Sequence, residues 1–222
     1  MNVPRLLILA DGKHELGAAD EVLEAQNLPA LPCLVHRLLD RPEHIDYLPR
    51  PFHLVGHTRG IGTGYKKKVL AAALEARKAG YMGVIVLIDR DRKPAKETLL
   101  PLQQGRDAAA ERGLPVVAVG VAVETFDAWM IADGKAIGQA GGNDARSHPH
   151  PEKLTGEENS GNHPKDKAHE LFPGGALSEK YRLVARHLRL DVLERCCPEG
   201  FKPFADEVRE RILPLLTPTG KS

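Results

Sequence analysis

Two carboxylates spaced two residues apart close the most apolar stretch of this 222-residue chain, where Val84-Ile85-Val86-Leu87-Ile88 runs into Asp89-Arg90-Asp91. In an extended backbone, side chains two apart leave the same side. Hard oxygen ligands at the carboxyl edge of a parallel sheet suit Mg²⁺ held together with a phosphate. A plainer reading competes: aspartates often cap the turn after a strand, and Arg90, Arg92 and Lys93 would neutralise them. The other acids bear on the choice. Asp11-Gly12-Lys13-His14-Glu15 follows an apolar run at residues 6–10, and Glu124 follows another at 116–123. Asp127 is three residues beyond Glu124, on the same helical face, where like charges disfavour one another unless a metal or basic group lies between them. Acids that simply complement a helix dipole would look the same.

A second stretch points to phosphate. His57-Thr58-Arg59-Gly60-Ile61-Gly62-Thr63-Gly64-Tyr65-Lys66-Lys67-Lys68 lies between a short apolar run and an alanine-rich helix ending near residue 79. Gly60, Gly62 and Gly64 would expose backbone N–H groups at a helix N-terminus, and Lys66 and Lys67 add positive charge, which together suit a phosphate contact. The spacing is neither a Walker loop nor the dinucleotide fingerprint, and a flexible loop before a solvated helix fits it equally well.

Other chemistry is poorly supplied. His148, His150, His163 and His169 do not have the spacing of a helix-borne zinc pair. Ser147, Ser160 and Ser178 lack a nucleophile elbow, and Lys93 stands where an aspartyl-phosphatase pattern wants Thr or Val. Cys33, Cys196 and Cys197 form neither a disulfide framework nor a Cys-x-x-Cys site, and read as reduced structural thiols. A net charge of +1 gives no global attraction to nucleic acid or membrane, so a polyanion site must come from local clustering. With no signal-peptide layout and no long apolar segment, the expected location is the cytoplasm, with no membrane partner.

The elements that must carry these residues follow from periodicity. Strands are expected at 6–10, 52–56, 83–88 and 116–123, alternating with helices, which implies a parallel α/β sheet with helices on both faces. The first helix would start at Glu15 and bury Leu16, Ala19, Val22 and Leu23. Residues 30–51 read as a connection with a helical suggestion only at 34–39, and another helix is expected near 104–112. In the helix carrying Glu124 and Asp127, Phe126, Trp129 and Met130 share the buried stripe. Residues 138–161 read as a long exposed loop. Asn162-His163-Pro164-Lys165 opens a helix, and further helices at 178–188 and 204–216 form a C-terminal extension. The expected division is an α/β core at 1–135, with a loop and helical extension at 136–222 packed on it.

Taken together, Ala10-Asp11-Gly12 with Glu15, and Asp89-x-Asp91 at the end of a third strand, resemble the Toprim domain of topoisomerases, bacterial primases and overcoming-lysogenization-defect (OLD) nucleases. Ala122-Val123-Glu124-x-Phe126-Asp127-Ala128-Trp129-Met130-Ile131-Ala132-Asp133, Pro151-Glu152, Asn162-x-Pro164-Lys165 and Gly200-Phe201-x-x-Phe204 are similar to a Toprim-like family whose genes often lie beside an ATPase gene. Two positions depart from that pattern. Asp11 and Asp127 stand where the family usually carries Glu, which keeps the carboxylate and shortens its reach by one methylene.

The resemblance implies metal-dependent phosphodiester hydrolysis of nucleic acid, DNA rather than RNA, performed with a partner ATPase in defence against phage or foreign DNA. It would assign the Mg²⁺ or Mn²⁺ to Asp11, Asp89, Asp91 and Glu124. Glu15, Glu124 and Asp127 would complete a second site or orient the attacking water, and Lys165 would neutralise phosphate charge. The alternatives are a catalytically inactive Toprim-fold subunit that binds an ATPase or nucleic acid, and a small-molecule phosphotransferase using the same acids.

Overall fold

The structure is a computed structural model that describes residues 3–17, 23, 27–40, 44–55, 64–143, 146–174 and 176–216. Among these, the order is β1 (Arg5–Ala10), α1 (Lys13–Leu16), α2 (Ala30–Leu39), β2 (Asp46–Pro51), α3 (Tyr65–Ala79), β3 (Gly83–Asp89), α4 (Leu99–Ala110), β4 (Val116–Ala122), α5 (Asp127–Met130) and α6 (Gly134–Gln139). The C-terminal part adds α7 (Pro164–Leu171), α8 (Leu177–His187), α9 (Leu190–Cys196), α10 (Phe201–Arg211) and α11 (Leu213–Leu216).

The described strands form one all-parallel sheet in the order β2-β1-β3-β4. β1 and β3 occupy the centre because their side chains are apolar on both faces, as a sheet covered by helices on each side requires. Even side chains of β1, Leu6 and Ile8, join one core with Ile85, Leu87 and Ala118 beneath α2, α8 and α10. Odd ones, Leu7 and Leu9, join the other with Val84, Val86 and Val119 beneath α3 and α4. The fold is therefore α/β with helices on both faces and a helical C-terminal extension.

The strand expected at 52–56 lies earlier. Asp46–Pro51 pairs with β1, Leu7 opposite Leu48 and Ile8 opposite Pro49, whereas Phe52–Leu54 is a 3₁₀ turn. Pro49 and Pro51 speak against a strand in the sequence, yet β2 is an edge strand whose missing donors need no neighbour. The supposed connection at 30–51 also holds α2, which is apolar nearly all round and fully packed. α1 stops at Leu16; Ala19 and Val22 lie outside the described residues, and Leu23 makes an antiparallel bridge to Tyr47.

The region expected as a loop at 138–161 is partly structured. α6 starts at Gly134, capped by Asp133, whose fully buried carboxylate also takes hydrogen bonds from the Arg189 backbone and guanidinium at 2.8–3.0 Å. Pro151–Lys153 forms a 3₁₀ turn, and the buried Glu152 carboxylate accepts from the Glu199 and Gly200 amides at 2.9 and 2.8 Å, at the start of α10. A Cβ on Gly200 would lie 2.6 Å from Glu152 Oε1, and one on Gly120 would lie 2.5 Å from the Phe204 ring. These two glycines let α10 lie directly on β4. No helix among the described residues is long and apolar enough to cross a membrane.

Candidate functional site

The parallel register brings Ala10 opposite Leu87 and Asp89 opposite Ala122, so the ends of β1, β3 and β4 lie side by side at one edge of the sheet. Three acidic segments therefore leave the same edge. Glu15 is on α1, one turn past Asp11, and its carboxylate folds back over Gly12: a Cβ there would lie 2.1 Å from Oε2. The side chain is buried and Oε2 has no hydrogen-bond partner. Asp89 Oδ1 accepts from the Phe126 amide at 2.9 Å, which joins the end of β3 to the start of α5. Asp127 is buried and accepts a hydrogen bond from the Tyr181 hydroxyl on α8.

These acids act on one another's charge. Burial, reinforced by the charges of Asp127 and Asp11, pushes the Glu15 carboxyl up to about 7. Asp89 is raised well above the carboxylate range by burial, then by Glu15 and Asp127. Asp11, nearer the rim, is raised by desolvation and by Asp91, while Lys68, Lys93 and His53 pull it down. Carboxylates this close cannot all ionise without a compensating positive charge.

The backbone around the cluster is unusual. Asp91, Arg92 and Glu124 have φ of 47°, 62° and 59°, the left-handed region that non-glycine residues seldom occupy. The Asp91 amide donates to the Glu124 carbonyl at 3.1 Å, so the two strained turns brace each other. Glu124 is accordingly outside α5 rather than on a helical face shared with Asp127. Its buried carboxylate turns to Arg90 at 3.3 Å and Arg92 at 3.8 Å.

The expected residues thus divide. Glu15 and Asp127 are buried, Asp89 is partly buried beside them, Asp11 and Asp91 form an exposed rim, and Glu124 serves the arginines. Lys165, on α7, bonds Glu158, and its charge is favoured by that bond and, further off, by Asp127. Gly64, Lys66 and Lys67 line a cavity of about 590 Å³ at the start of α3 with Tyr65, Lys68, Glu97 and Pro101. Gly60 and Gly62 lie outside the described residues. Tyr181 and His53 carry no local pattern that marks them, because each meets the acids only through the fold.

The donor set fits a hard divalent cation in kind, being all carboxylate, with one buried oxygen left unpartnered and a glycine making room for it. It is not a closed ligand shell. Among the described residues, no three His, Cys, Asp or Glu side chains are gathered tightly enough to hold an ion as they stand. Asp91 leans toward Lys93 at 3.6 Å, and Asp127 and Glu124 are engaged by Tyr181 and Arg90. No protein-family model, curated protein or solved structure matches the chain.

Proposed function

We propose that the protein is a Mg²⁺- or Mn²⁺-dependent phosphodiesterase acting on nucleic acid, DNA rather than RNA, in company with an ATPase in defence against phage or foreign DNA. The observation that supports it most is the meeting of five carboxylates from three chain segments at one sheet edge, with the inner ones held where ionisation is resisted. Such a cluster carries a standing electrostatic cost that a divalent cation would relieve.

On this reading Asp11, Asp89 and Asp91 would hold the ion. The ion, when bound, would polarise the phosphodiester and help generate hydroxide from water near neutral pH. Glu15, titrating near 7, is suited to hold or release a proton at its unpartnered Oε2. Asp127, fixed by Tyr181, orients the groups around it. Glu124 takes a different role from the one expected, holding Arg90 and Arg92 at the rim. Lys165, Lys68 and Lys93 bring positive charge toward the phosphate, and the Gly64–Lys67 turn would contact the strand further along.

The test is cleavage of single- and double-stranded DNA and RNA with each metal, with and without an ATPase whose gene lies beside this one. Cleavage should require Mn²⁺ or Mg²⁺ and fall at least about 100-fold in Asp89→Ala or Asp91→Ala. Cleavage that survives these changes would overturn the assignment.

The second reading, a binding subunit without nuclease activity, draws on the engagement of Asp91, Asp127 and Glu124 by neighbouring side chains. It expects calorimetrically detectable metal binding with no cleavage of any polymer.

A further inference from the structure

We infer that residues 156–162 form an acidic strap that occupies the cations a phosphate backbone would use, and that a nucleic-acid strand displaces its two glutamates from them. The inference rests on the proposed action on nucleic acid and concerns how that site is guarded.

Arg92 and Lys165 come to the acid cluster from different elements. Arg92 follows Asp91 at the end of β3, and Lys165 is on the first turn of α7, where Asp127 favours its charge. Both contact the strap, Arg92 while also lying 3.8 Å from Glu124. Arg92 donates to the Gly156 carbonyl and approaches Glu157 at 3.8 Å, and Lys165 Nζ bonds Glu158 Oε1 at 2.6 Å. Two consecutive glutamates thus offer carboxylate oxygens to two cations beside a carboxylate cluster, as successive phosphates of a strand would.

The strap is built to keep its shape when those pairs open. The Gly156 amide bonds the Asn162 carbonyl at 3.0 Å, closing its base. Asp166 on α7 accepts from the Asn159 and Gly161 amides, both at 2.9 Å, and anchors its far side. None of these bonds involves Glu157 or Glu158 side chains. Those side chains are 85% and 55% exposed. Ion pairs in water contribute little, so a phosphate, with more acceptor oxygens, can replace them at small cost.

The experiment is fluorescence anisotropy of a labelled single-stranded DNA oligonucleotide with the full chain at low salt, in Ca²⁺. Removing both acids, Glu157→Gln with Glu158→Gln, should tighten binding about 3- to 10-fold, and Arg92→Gln with Lys165→Gln should weaken it by a similar factor. The variant with all four changes should bind like the Arg92→Gln, Lys165→Gln protein. A gain that persists without the two cations would reduce the effect to net charge and overturn the strap. So would unchanged affinity in the glutamine pair, or no binding by any variant. Failure of the nuclease reading is a separate result: the strap effect on binding with no metal-dependent cleavage in the parent would overturn catalysis and leave the strap standing.

Discussion

Tyr181 donates its hydroxyl proton to Asp127 Oδ1 from a helix 54 residues further along the chain. The bond joins the C-terminal helices to the acid cluster, and it forms in a setting where the phenol strongly resists ionising. Burial, then Asp127, Glu15 and Asp89, all raise its pKa. The hydroxyl therefore stays a donor. Tyr181→Phe should cost about 2 kcal/mol of stability by leaving a buried carboxylate one partner short, measurable by urea denaturation. It should also weaken Mn²⁺ binding, since Asp127 is freed to move. Unchanged stability would mean that the hydrogen bond contributes little in solution.

Glu152 serves structure, not chemistry. Its carboxylate meets the Glu199 and Gly200 amides at the N-terminus of α10, where a helix dipole favours negative charge. Glu152→Ala should lower stability by roughly 1–3 kcal/mol, the cost of leaving buried donors unpaired. Metal affinity should remain that of the parent. A loss of metal binding in a fully folded Glu152→Ala protein would place the residue in the site instead.

The sheet and the acids were legible where one chain segment decides the outcome. β1, β3 and β4 are apolar on both faces and run at their ends into acids, and a parallel sheet then puts those ends together. β2 escapes the periodicity because Pro49 and Pro51 argue locally against a strand, while its edge position is a property of the whole sheet. Spacing puts Glu124 on the helix, yet a left-handed backbone takes it out of α5 and onto Arg90. Tyr181 and Arg189 reach Asp127 and Asp133 only after the extension packs, so no periodicity announces them.

Gly12 offers a change confined to the site. Its backbone is not in the left-handed region, so alanine is conformationally acceptable there, but the added Cβ would lie 2.1 Å from Glu15 Oε2. The carboxylate is the movable partner and should swing away while β1 stays intact. Gly12→Ala should keep its circular dichroism and weaken Mn²⁺ binding about 10-fold or more, read by calorimetry. Parent-like affinity would show that Glu15 plays no part in holding the cation site together.

Glu15 sets the expected dependence of stability on pH in the metal-free protein. Its carboxyl is raised from 4.5 to about 7, first by burial and then by Asp127 and Asp11. Between those values the folded chain keeps a proton that the unfolded chain has released, so unfolding loses a proton and stability falls as pH rises. The contribution is fully present below about 4.5 and is lost by the time pH passes about 7. A shift of that size corresponds to roughly 3 kcal/mol for a single group. Glutamine at this position stays neutral, and it also relieves Asp89, whose raised pKa owes more to Glu15 than to any other charge. In EDTA, Glu15→Gln should therefore match the parent near pH 4 and exceed it by up to about 3 kcal/mol at pH 8, measured by chemical denaturation across the range. A parent that equals or surpasses the variant at pH 8 would show that Glu15 is ionised and satisfied in the folded protein, and the electrostatic cost attributed to the cluster would not exist.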